Sequence, residues 1–62
     1  MPDQISMQDI AHAMKKHGGS FVAALGEALI RADDSNAMKL EAAFPEYFRA
    51  YAEWAKRDQE AS

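Results

Sequence analysis

The chain has 62 residues, no cysteine and a net charge of −3 from seven basic and ten acidic side chains. A chain this short holds one small domain, spanning 1–62, and buries only about 60% of its unfolded surface, so its margin of stability is small. The composition excludes disulfides and thiolate chemistry. Its mild acidity argues against a phosphate-binding footprint and so against nucleic acid as a partner.

No apolar run reaches the roughly 18 residues that a membrane span needs. Met-Pro-Asp-Gln at the start lacks the basic opening of a secretory signal. With cysteine absent, the expectation is a soluble protein of the cytoplasm, with no membrane partner.

Everything reads as helix, because apolar residues recur at three- and four-residue spacing and no stretch alternates over the length of a strand. The first helix is expected to start after Ser6, which can cap the amide of Asp9. Asp9 occupies the reciprocal capping-box position, and Ile5 and Ile10 the two staple positions. Met7, Ile10, Ala11 and Met14 share one face. Lys15, Lys16 and His17 complement the negative C-terminal end, and Gly18 is expected in the left-handed conformation that stops the helix.

Ser20 is the expected cap of the second helix, which carries Phe21, Val22, Leu25, Ala28, Leu29 and Ala32 on a broad apolar face and Glu27, Arg31 and Asp34 opposite. Gly26, inside this helix, costs about 1 kcal/mol relative to alanine. Either a neighbouring backbone comes close beside it, or it is a neutral choice. Asp33-Asp34-Ser35-Asn36 prefers caps and turns, so a short third helix is expected over about 36–43, presenting Ala37, Leu40 and Ala43.

Pro45 pushes Phe44 out of the helical region and suits the first position of a fourth helix, with Glu46 at its positive end. The sequence leaves open whether the third and fourth helices join as one kinked rod. The last helix runs towards Lys56 and Arg57, with residues 1–4 and 58–62 expected to fray. The fold class is therefore all-α, a small bundle of three to four short helices. Its expected core is Met14, Phe21, Leu25, Leu29, Leu40, Phe44, Phe48 and Tyr51.

Five of the six aromatic residues, Phe44, Tyr47, Phe48, Tyr51 and Trp54, fall within eleven positions. On one helix they cover an arc of roughly 120°. Phe44, Phe48 and Tyr51 suit the core. Tyr47 and Trp54 lie at the edge, and with Tyr51, Arg49, Glu53 and Arg57 they have the composition of a protein-binding rim.

No constellation supports catalysis, a cofactor or a metal. His12 and His17 point about 140° apart on a helix, where two ligands need a spacing of three or four. His17-Gly18-Gly19-Ser20 lacks the lysine and the glycine spacing of a phosphate loop, and a cap–turn–cap connection explains it. Asp33, Asp34 and Asn36 lack the glycine and glutamate of an EF-hand. The serines have no histidine arranged for nucleophilic chemistry. A helix-turn-helix reading puts Phe21, Val22, Ala23 and Ala24 where base-reading polar side chains belong.

From His17 to Tyr51 the chain carries His17-Gly18-Gly19-Ser20-Phe21-Val22-Ala23-Ala24-Leu25, then Ala32-Asp33, Asn36, Leu40 and Phe44-Pro45-Glu46 with Tyr51. This pattern resembles short uncharacterised all-helical proteins encoded in phage and prophage genomes of proteobacteria. The resemblance transfers no catalytic motif. It implies a mobile-element setting in which small proteins bind and modulate host machinery. The leading expectation is thus a non-enzymatic protein that binds a host or defence protein, an inhibitor of the anti-CRISPR kind among the forms it could take. A small nucleic-acid-binding regulator using Lys15–Ser20, or a structural homodimer burying the aromatic stripe, are the alternatives.

Overall fold

A computed structural model describes residues 5–61 and is all-α. Four helices follow one another: α1 (Met7–His17), α2 (Ser20–Arg31), α3 (Asp34–Ala43) and α4 (Pro45–Ala61). Connections are two residues or one, and no strand occurs among the described residues. Residues 1–4 and Ser62, where fraying is expected, lie outside the described residues.

Local chemistry starts α1 as its sequence requires. The Ser6 hydroxyl accepts the Asp9 N–H at 3.1 Å, and the Asp9 carboxylate accepts the Ser6 N–H at 3.1 Å, closing the box despite aspartate's short arm. Ile5 and Ile10 both join the apolar cluster. Ile10, Ala11 and Met14 are buried on the expected face, and so is Ala13. Burial of Ala13 widens the stripe because α4 packs there, with Ala55 opposite it.

The α1–α2 connection departs from expectation at two residues. Gly18 is extended (φ −83°, ψ 161°), not left-handed. Its glycine is required by space: a Cβ would lie 2.6 Å from the Met14 carbonyl oxygen and 2.6 Å from Val22 Cγ1. Ser20 is the first residue of α2, and the cap is Gly19, which offers no side-chain acceptor. Two residues suffice to turn the chain, so the helix begins one position before a serine cap would allow.

Burial on α2 is centred on Val22, Leu25, Gly26 and Leu29, rotated from the expected face. The reason is Gly26. A Cβ there would lie 2.7 Å from the Ala11 carbonyl oxygen and 2.9 Å from Met14 Cβ, so the backbones of α1 and α2 meet at this glycine. Close approach, not neutrality, accounts for it. With that edge turned inward, Phe21 is left 57% exposed, which removes it from the expected core.

Asp33 caps α3, its carboxylate accepting the Asn36 N–H at 2.8 Å, so the helix begins at Asp34 rather than 36. Asp34 accordingly belongs to α3 and not to the polar side of α2. In α3 Ala37 is buried and Leu40 half-buried, while Ala43 is exposed. Phe44 leaves the helical region (φ −132°, ψ 57°) ahead of Pro45, so α3 and α4 are separate helices.

The last helix continues to Ala61, past the expected end near Arg57. Contacts with α1 hold residues expected to fray, since Gln59 donates to the Asp9 carboxylate at 3.1 Å and Asp58 meets His17. Met14 and Leu29 are the largest fully buried side chains, and Leu25 and Phe48 are buried with them. Leu40, Phe44 and Tyr51 pack on the cluster's margin.

Candidate functional site

Two aromatic groupings reach the surface, at opposite ends of the stripe on α4. The first forms where the start of α2 meets the α3–α4 junction. Phe21 stands edge-on to Phe44 with centroids 5.9 Å apart and planes at 69°, and tilts against Tyr47 at 6.0 Å. Phe44 and Tyr47 complete the triangle at 5.9 Å. Each pair lies in the range where ring quadrupoles attract. Three rings thus fix one another while Phe21 remains largely in water.

From this triangle a flank of small side chains follows α2. Phe21, Ala24, Ala28 and Ala32, spaced by three, four and four, share one flank of the helix. At the far end of this flank a groove of about 420 Å³ is lined by Ala28, Arg31, Ala32, Asn36, Lys39 and Leu40. Arg31 donates from Nε to Glu27 at 2.8 Å, and the other Glu27 oxygen receives Lys15 at 2.8 Å. The hydrogen bond from Lys15, and after it that from Arg31, hold the Glu27 carboxyl below its ordinary value. Lys39 has no ion-pair partner among the described residues.

The second grouping joins the end of α1 to α4. His17 stacks on Trp54 with centroids 4.1 Å apart and planes at 18°. Its Nε2 lies 3.2 and 3.3 Å from the two Asp58 oxygens. An ionised carboxylate only accepts, so that nitrogen carries a proton. Lys16 stands 3.9 Å from Asp58, and the Arg57 guanidinium carbon lies 5.4 Å from the centroid of the Trp54 ring. Much of the Trp54 surface is therefore already engaged within the chain.

The expected rim residues divide between these places. Tyr47 belongs to the triangle, and Trp54 with Arg57 to the His17 junction. Tyr51 packs at the core margin, while Arg49 and Glu53 are exposed on the outer face of α4. His12 is exposed and lines an α1–α4 groove of about 280 Å³, apart from the stacked His17. Among the described residues no three His, Cys, Asp or Glu side chains are placed to hold a metal ion. None of the helices is long and apolar enough to cross a membrane.

Sequence reasoning missed Phe21 as a surface residue and missed the His17–Trp54–Asp58 junction. The uncharged run from Ser20 to Gly26 was the available signal for the first. Trp54 and Asp58, four apart on one helix face, were half of the signal for the second.

No known protein family, curated protein or solved structure matches this chain.

Proposed function

We propose that this chain is a non-enzymatic binding protein that docks a host or defence protein through the Phe21–Phe44–Tyr47 edge. The phage-type setting implied by the sequence resemblance supplies the kind of partner, with inhibition of a CRISPR-type defence factor as its most specific form. One observation carries the reading: Phe21 is 57% exposed yet held by two other rings. A lone exposed apolar side chain is ordinary. A preorganised cluster of three rings matches the anchors that dominate protein interfaces, because little side-chain entropy remains to be lost on docking.

The test is capture from a proteobacterial lysate by tagged chain, with and without nuclease, comparing wild type with Phe21→Ala and Tyr47→Ala. Circular dichroism establishes that both variants remain folded. The expected result is a discrete protein retained by wild type in both halves and weakened by about 2 kcal/mol or more in the Phe21 variant. Undiminished retention by both variants overturns the reading. Retention that disappears with nuclease replaces it with nucleic-acid binding, and a molar mass of two chains that Phe21→Ala halves replaces it with a homodimer.

A further inference from the structure

Resting on that reading of the aromatic edge, we infer that the partner presents an acidic amphipathic α-helix, laid along the groove between α2 and α3. The flank of α2 from Phe21 through Ala24 and Ala28 to Ala32 is about 16 Å long at helical rise. It carries only methyl groups beyond the one anchoring ring. Leu40, Phe44 and Tyr47 stand along the facing side, with Phe44 one turn on from Leu40. Small side chains on one wall and large ones on the other admit a helix at close range, with apolar residues every three or four positions facing inward.

Charge then selects the partner. The cavity beyond the triangle is flanked by Arg31 and Lys39, and no acid lines it. These two cations stand together in a chain whose net charge is −3. Glu27 engages Arg31 from outside the groove, leaving that guanidinium exposed, and Lys39 has no ion-pair partner among the described residues. Carboxylates on the incoming helix, placed beside its apolar face at this end, give Lys39 a partner and the exposed Arg31 guanidinium a second one. A second copy docked groove to groove about a central two-fold axis brings its Phe21–Phe44–Tyr47 end to this position, not carboxylates. Two cations between apolar walls are also too few to track a phosphate backbone.

The experiment is a ¹⁵N–¹H correlation titration of the full chain with two designed helical peptides sharing one apolar face. One peptide carries glutamates beside that face, and the other carries lysines. The expected shifts map to Phe21, Ala24, Ala28, Leu40 and Tyr47. The glutamate peptide binds about ten-fold more tightly at low salt, as complementarity worth one decade requires. Lys39→Glu reverses the preference, and Ala28→Arg, an exposed change on α2, blocks both peptides. Equal affinity for the two peptides, shifts centred on Trp54, or no shift at all overturns the inference. Shifts that arise on concentrating the chain alone also overturn it, in favour of a second copy. If Phe21→Ala releases a captured cellular protein while Lys39→Glu and Ala28→Arg retain it, the docking edge stands and the acidic helix falls. If all three retain it, both fall.

Discussion

The α1–α2 crossing and the α2–α3 seam are built from the same residue types and differ in how closely the backbones approach. At the crossing, Gly26 brings α2 against the Ala11 carbonyl, and Met14 fills the space beside it with no exposure. At the seam, Ala28 and Ala32 face Leu40 across an open groove, and Ala37 is the one buried residue of α3. Alanine keeps a helix at a distance that a glycine does not. The tight side packs the core, and the loose side leaves an apolar groove open.

The largest expected effect separates the two sides. Met14→Ala empties a fully buried site and lowers stability by about 3 kcal/mol, whereas Leu40→Ala, half-buried at the seam, costs about 1 kcal/mol. Urea denaturation followed by circular dichroism measures both. Equal losses would mean that α3 is as integral to the core as α1.

Gly26→Ala comes next. Alanine's helix preference favours the change by about 1 kcal/mol. A Cβ 2.7 Å from a backbone oxygen cannot be relieved by a side-chain rotation, so α1 and α2 must separate. Overpacking of this kind costs about 1–3 kcal/mol, and the net expectation is destabilisation. Gly19→Ser is the control, because nothing lies within 4 Å of that position and its backbone is extended. The serine supplies the missing cap oxygen, and a gain of a few tenths of a kcal/mol is expected.

These contrasts also mark what sequence can show. Ser6 with Asp9 and Pro45 after Phe44 are local arrangements, complete within four residues, and both helix starts were legible. The run Asp33-Asp34-Ser35-Asn36, by contrast, offers several caps and does not show that α3 begins at Asp34 rather than 36. Gly26 could be narrowed to two readings, but the atom it approaches lies on another helix. Phe21 fits an apolar face by periodicity, and only the rotation imposed at Gly26 shows which edge of that face stays in water. His17 and Asp58 are 41 residues apart, so their meeting depends on how α4 lies across α1.

That junction gives the third prediction. His17→Ala removes both the ring stack and the contact with Asp58, and about 1–2 kcal/mol is expected to go with them. His17→Phe keeps the stack and loses the polar contact, so about half the cost should return. Trp54 emission reports the difference directly, shifting to the red in the alanine variant as the ring gains water and staying close to wild type in the phenylalanine variant. If both variants unfold at the wild-type urea midpoint, the junction is incidental to stability, and Trp54 returns as a candidate binding residue.

The smallest effect lies on the bridge between the two sides, where Glu27 links Lys15 of α1 to Arg31 at the edge of the groove. Its carboxyl is held below the ordinary 4.5 first by the hydrogen bond from Lys15 and then by that from Arg31. A depressed folded value means that the unfolded chain takes up the proton first. The contribution is therefore present above about pH 4.5 and is lost as pH falls through the lowered folded value. Thermal melts of wild type and Glu27→Gln should differ at neutral pH and converge towards acid, with the difference reduced by salt because the pair is exposed. Because glutamine keeps the aliphatic stem, a difference that stays constant to pH 2 would assign the effect to the amide's own hydrogen bonding and helix preference instead of to the charge of Glu27. In that case Arg31 at the groove edge would be positioned without help from α1.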